Sequence, residues 1–278
     1  MRQIVERGHG HPLVLIPGLQ GRWEYMRPAV DVLAERFRVL TFSLSHDRDD
    51  RESAAGEGGD ALGTHADRVA AVLDSRGIDR AVICGVSFGG VVALRFAALH
   101  PGRAHALIVV SAPGPRWRPQ PRHELYARVP WILGPLFLAE TPRRLRAELA
   151  AAIPDRAARL RFVRDQALTL LRAPVSLAGM AHRARLMAST DRYADCARIS
   201  APTLVVHGEP QLDRVVQVEG TSEYLGLIRD ARSAVIPRTG HLGSITRPRE
   251  FLAVVGAFVQ AVQTMQLTTR DGAPDAAA

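Results

Sequence analysis

Short apolar runs alternate along the chain with longer stretches whose apolar positions recur at helical spacing. Leu13-Val14-Leu15-Ile16 ends at Pro17-Gly18 and predicts a buried strand running into a loop. Trp23 to Phe37, with Met26, Val30, Leu33 and Phe37 in helical register, predicts a helix. Arg38 to Leu44 reads as the next strand, and Asp47 to Asp60, with its charges and Gly56, Gly58 and Gly59, as a loop. A helix over Ala61 to Arg76 is stopped by Gly77. Ala81 to Cys84 is a strand, Val91 to Leu99 a mostly buried helix stopped by Pro101, and His105 to Val110 a further strand. Strands that alternate with helices call for a parallel sheet covered on both faces. The fold class is therefore α/β, a mostly parallel sheet between helical layers.

The rhythm breaks at Arg116. From there to Tyr193 no strand is visible, only short helical patterns cut by Pro130, Pro135, Pro142, Pro154 and Pro174. Alternation resumes with a strand at Pro202 to His207, a helix over Val216 to Ile228, a strand over Ala231 to Ile236 and a helix over Arg249 to Met265. The simplest organisation is a sheet domain made of residues 1–115 and 194–266, interrupted by a helical insertion at 116–193. The polar, Ala-rich segment 267–278 reads as a flexible tail.

Composition narrows the picture. With 278 residues and 47% apolar content the chain is long enough to bury a sizeable core. The first residues have no apolar stretch of the kind that targets secretion, and the run Trp131 to Ala139 is too short to span a bilayer. Two cysteines, Cys84 and Cys196, read as reduced packing residues, which suits the cytoplasm. All 36 basic residues are arginine, and the net charge of +8 is placed unevenly. Between Arg116 and Leu186 there are 14 Arg against 5 acids, while the rest carries 22 against 23. No nucleic-acid motif accompanies the patch, so it reads as solvation of outer helical faces, with attraction of an anionic substrate as the alternative.

The chemistry centres on Gly85-Val86-Ser87-Phe88-Gly89-Gly90, which joins the Ala81 strand to the following helix. A chain that turns from strand to helix this quickly needs small neighbours, and the turn exposes the Ser87 hydroxyl as a nucleophile elbow does. A serine hydroxyl attacks only when a base takes its proton, and that base needs an acid to orient it. Such groups converge at the carboxyl ends of parallel strands. Asp213 follows the Leu204 to Val206 strand, and His241 follows the Ala231 to Ile236 strand. Glu209 is a rival acid, and Asp213 can alternatively be read as the N-cap of a helix beginning at Val216.

The elbow, the loop HGEPQLD at 207–213 and the segment TGH at 239–241 together resemble the catalytic motifs of the α/β-hydrolase superfamily, in order, over residues 4 to 265. The helical insertion falls where that superfamily carries its cap. The resemblance implies Ser87 as nucleophile, His241 as general base and then acid, and Asp213 as its partner. It also implies an oxyanion hole from the backbone N–H groups of Phe88 and Leu19, although Pro17 stands where the family has histidine. Gln20, Trp131, Leu133, Leu136 and Phe137 are candidates for the substrate pocket. The implied activity is hydrolysis of a small ester, lactone or thioester through an acyl-Ser87 intermediate. Hydrolysis of a C–C bond in a dienoate-like diketone, or ligand binding with little turnover, are the alternatives. Serine rather than aspartate at the elbow argues against dehalogenase or epoxide hydrolase chemistry. His9 and His11 read as a turn before a strand rather than metal ligands, and His46 to Asp50 as a solvated loop. No cofactor or metal is expected, and the partner is a small molecule rather than nucleic acid or a membrane, with homodimerisation left open.

Overall fold

A computed structural model describes residues 4–44 and 60–271. The expected loop at Asp47 to Asp60 and the segment His46 to Asp50 lie, apart from Asp60, outside the described residues, as does the end of the expected tail.

The strands are β1 (Ile4–Arg7), β2 (His11–Ile16), β3 (Phe37–Phe42), β4 (Ala81–Val86), β5 (Ala104–Val110), β6 (Thr203–His207) and β7 (Ala231–Val235). They form one sheet in the order β1-β3-β2-β4-β5-β6-β7. Only β1 runs antiparallel, pairing with β3. The apolar runs dictate this arrangement, because central strands must offer an apolar side chain to each face. In β5, Leu107 and Val109 enter one core and Ala106, Ile108 and Val110 the other. One face is covered by α2 (Ala61–Asp74) and α3 (Phe88–Leu99), the other by α1 (Arg27–Leu33) and α12 (Pro248–Asp271).

Between β5 and β6 lie α4 (Pro121–Arg128), α5 (Pro130–Ala152), α6 (Arg156–Arg172), α7 (Leu177–Ser189) and α8 (Arg192–Arg198). The first four form the cap, whereas α8 packs back on α3. Pro135 and Pro142, expected to cut the insertion, sit inside α5. Both are exposed, so the carbonyls they leave without a donor can turn to solvent. The fully buried Arg192 ties the cap to the sheet domain by donating to the carbonyls of Gly114 (2.9 Å), Pro115 (2.7 Å) and Met187.

The rest of the sheet domain contains α9 (Val218–Ser222), α10 (Tyr224–Leu227) and α11 (Gly243–Thr246). The single helix expected over Val216 to Ile228 is thus two short ones. The last helix runs on to Asp271, beyond the expected boundary of the tail at 267. Its segment Pro248–Thr268 is long and apolar enough to cross a bilayer by composition, but here Phe251, Val255, Val259 and Val262 pack into the core. Cys84 and Cys196 are both free and buried. His11 is the first residue of β2 rather than part of a turn, and its ring packs at 4.4 Å on His105.

Candidate active site

The sheet changes winding direction at β2, because β3 lies on one side of it and β4 on the other. The loops leaving β2 and β4 meet at that switch point, the usual ligand position in an open α/β sheet. Ser87 stands at that point, between β4 and α3. Its backbone has φ 55° and ψ −116°, a region that costs a non-glycine residue about 1–3 kcal/mol. Three glycines make the turn possible. A Cβ on Gly85 would meet the Gly89 carbonyl oxygen at 2.0 Å, one on Gly89 the Ile16 oxygen at 2.3 Å, and one on Gly90 the Ala112 Cβ at 2.7 Å. The Ser87 N–H is held by the Val110 carbonyl at 2.8 Å.

The loop after β2 lies directly against the elbow, for a Cβ on Gly18 would sit 3.4 Å from that of Ser87. A turn closed by Gly21 N–H on the Gly18 carbonyl (2.9 Å) shapes it, and Gly21 supplies φ 70°. Arg183, a cap residue from α7 and almost completely buried, donates from Nε to the Leu19 carbonyl (2.9 Å) and from Nη2 to that of Gln20 (3.4 Å). The N–H groups of Phe88, first residue of α3, and Leu19 therefore belong to two backbone segments packed on Ser87.

Asp213 and His241 meet through the loops after β6 and β7, which pack backbone on backbone. A Cβ on Gly208 would meet the Gly240 oxygen at 2.4 Å, and one on Gly240 the Asp213 nitrogen at 2.7 Å. Asp213 Oδ2 lies 3.4 Å from His241 Nδ1, while its Oδ1 accepts from the N–H groups of Val215 and Val216, both at 2.8 Å. One oxygen of Asp213 thus faces His241 and the other holds a bend over residues 214–216, and the expected helix at Val216 is absent, because the next helix begins at Val218 with Gln217 as its N-cap. Burial pushes its carboxyl up, but His241 and the two N–H groups outweigh burial and hold it below the ordinary value. Burial likewise pushes the His241 imidazolium down, and the charge and hydrogen bond of Asp213, with Glu148 nearby, leave it raised. Glu209 is occupied elsewhere, accepting from the N–H of Arg238 (2.7 Å) and from Gln211 Nε2 (2.7 Å).

A cavity of about 430 Å³ opens beneath the cap. Ser87, Leu19, Val215 and Val216 line its floor, and Leu177, Met180, Ala184 and Met187 of α7 its wall, with Trp117 and Tyr126. Arg128, Arg144 and Arg185 line it too, against Glu124. Gln20 is exposed, with its Oε1 beside Gly18 and so close to the elbow, whereas Trp131 (74% exposed) and Leu136 (48%) point away from the lining, which corrects their reading as pocket residues. The reason is helical phase: Pro130, Gly134 and Arg144 face the cavity, which turns Trp131 and Leu136 outward. The side chains of Leu133 and Phe137 lie outside the described residues. Among the described residues no group of three or more His, Cys, Asp or Glu side chains could hold a metal.

Comparison with known proteins decides the family. The model of the alpha/beta hydrolase family matches residues 13–254. The chain belongs to the alpha/beta hydrolase family. Among its relatives is a pimeloyl-[acyl-carrier protein] methyl ester esterase of Nitrosomonas europaea, 25% identical over 91% of this chain and 98% of that protein. Another is a 2-hydroxy-6-oxo-2,4-heptadienoate hydrolase of Pseudomonas putida, 28% identical over 91% of each. The crystal structure of an enol-lactonase from Burkholderia xenovorans shares the fold, with a TM-score of 0.73 at 20% identity over 93% of this chain and 96% of that one. The chain is accordingly a hydrolase-family enzyme, with the family's sheet and a helical cap.

Two residues beside the site were missed in the sequence, Arg183 on the Leu19 loop and Glu148, whose carboxylate accepts the Leu242 N–H at 2.6 Å. A cap arginine among 14 carries no distinguishing mark, and Glu148 stood out only as one of few acids in a basic segment.

Proposed function

We propose that this alpha/beta hydrolase cleaves a small ester, lactone or thioester through an acyl-Ser87 intermediate. The observation that carries the reading is Ser87, held at φ 55° on the floor of a largely apolar cavity that Val215 and Val216 also line, with an oriented histidine–aspartate pair on the loops after β6 and β7. In this reading His241 takes the Ser87 proton as the hydroxyl attacks the acyl carbon. The charge that develops on the carbonyl oxygen is met by the Phe88 and Leu19 N–H groups. The imidazolium then protonates the leaving alcohol or thiol, and a water activated by the same histidine releases the acid. Asp213 fixes the tautomer with its proton on Nδ1, so that Nε2 is the base.

A second reading is hydrolysis of a C–C bond in an anionic dienoate-like diketone. The guanidinium groups of Arg128, Arg144 and Arg185 in the cavity lining support it, as does the likeness to the heptadienoate hydrolase. The deciding experiment is a substrate panel of p-nitrophenyl esters of graded acyl length, a set of lactones and a dienoate diketone. A burst of nitrophenol equal to enzyme, followed by slower turnover, is the result expected of an acyl-enzyme. Turnover of the diketone with inert esters would move the assignment to the second reading.

A further inference from the structure

The histidine loop is held from above by the cap. Glu148 lies in the second half of α5 and is completely buried, although it belongs to the insertion rather than to the sheet domain. Its Oε1 accepts the Leu242 N–H at 2.6 Å, and the Gly240 N–H also reaches it, so the carboxylate grips the backbone on both sides of His241. Its Oε2 is buried and, among the described residues, has no hydrogen-bond partner. A buried carboxylate with an unpaired oxygen is costly unless a positive charge compensates it. The titratable groups facing it are His241 and Asp213. With a neutral imidazole, Asp213 faces an uncharged ring and Glu148 holds the backbone next to it. When the ring takes up a proton, the buried Glu148 carboxylate gains a cation within its electrostatic reach.

We propose that Glu148 is a positioning residue for the general base: the cap carries the histidine loop on this carboxylate, and its charge stabilises the imidazolium that every proton transfer produces. This rests on the reading of Ser87, Asp213 and His241 given above. It deepens that reading by making the cap part of the proton-transfer machinery as well as the wall of the cavity. Burial raises the Glu148 carboxyl above the ordinary carboxylate range, so the support is strongest above the pH at which it ionises. The neutral-to-cation step of His241 is where a fixed negative charge acts most, because it needs no reorganisation as the charge appears.

The test compares wild type, Glu148→Gln and Glu148→Ala, with Ser87→Ala as control, on a p-nitrophenyl ester across the pH range. Glutamine still offers an oxygen to the Leu242 N–H but carries no charge. Glu148→Gln should lower kcat about tenfold, leave KM within about twofold and move the acid limb of kcat/KM to lower pH. Glu148→Ala should lower kcat further, because the loop also loses its support. A Gln variant with wild-type kcat and an unmoved acid limb would overturn the proposal, whatever alanine does. If alanine does not fold, the His241 titration followed by NMR in the Ser87→Ala background, with and without Glu148→Gln, gives the same decision. A midpoint that falls on removing the charge supports the proposal, and an unmoved one ends it. Full activity in Ser87→Ala alone would instead remove the serine mechanism, a failure distinct from that of Glu148.

Discussion

Asp213 divides its two carboxylate oxygens between His241 and the backbone: Oδ2 faces His241 Nδ1 at 3.4 Å, and Oδ1 accepts from the backbone N–H groups of Val215 and Val216. The side chain is 1% exposed, so its orientation is fixed before any substrate arrives. Asp213→Asn replaces the acceptor with an amide and releases the histidine tautomer, which should lower kcat by about 10³- to 10⁴-fold. Glu209→Gln should change kcat by less than about threefold, since Glu209 only ties the Arg238 and Gln211 segments. Steady-state kinetics of the two variants check this. A silent Asp213→Asn beside a crippled Glu209→Gln would mean that the acid has been chosen wrongly.

Ser87→Ala should abolish turnover by roughly 10⁴-fold or more without unfolding the protein. Alanine at φ 55° keeps the same strain as serine, and the Ser87 hydroxyl accepts no capping hydrogen bond from the helix it precedes. The melting temperature should therefore stay within about 2 °C of wild type. Loss of activity together with a large drop in melting temperature would attribute the effect to the turn rather than to the hydroxyl.

The histidine–aspartate pair gives activity and stability opposite pH dependences. His241 is raised above 6.5 in the folded chain, so its contribution to stability is complete below 6.5 and fades as pH rises through the raised value. Asp213 is lowered below 3.8, so its contribution is complete above 3.8 and fades as pH falls through the lowered value. Stabilisation by the pair is then largest between these limits. With His241 as the proposed base, activity should rise just where that stabilisation falls, with an acid limb above the ordinary histidine value. Melting curves of wild type and His241→Ala between pH 4 and 9 check the first statement, and kcat/KM profiles the second. A difference in melting temperature that grows above neutral pH would contradict the assigned direction.

What the sequence could reveal follows from how local each determinant is. The elbow was legible because its requirements, an apolar run, Ser87 and three glycines, lie within a few consecutive residues. Asp213 and His241 were legible because each sits just beyond a strand whose apolar run marks its end. The edge strand Ile4–Arg7 was not, since four half-polar residues paired on one side only leave little pattern. Pro135 and Pro142 misled because a proline on the exposed face of a long helix leaves its freed carbonyls in water. Glu148 and Arg183 act across sequence separations of 94 and 164 residues. Their roles depend on how the cap docks, which no local spacing encodes.

The cap arginines give a last expectation, one that the cavity lining changes. From sequence they read as solvation of outer faces, and Arg156, Arg161 and Arg172 of α6 are indeed exposed. Arg128, Arg144 and Arg185, however, border the same cavity as Ser87; Arg144 pairs with Glu140 at 3.4 Å, and Glu124 is the lining carboxylate among the described residues. A surplus of fixed positive charge in a concave, low-dielectric site raises the local concentration of anions and weakens with salt over a screening length of about 10 Å at 0.1 M. A carboxylate-bearing ester should therefore lose kcat/KM more steeply between low and high salt than its neutral analogue. Arg128→Gln should reduce that difference while leaving kcat for the neutral ester within about twofold. The measurement is the slope of log kcat/KM against ionic strength for both esters with both proteins. Equal slopes for the two substrates in wild type would return these arginines to the solvated surface and leave the substrate's charge unspecified.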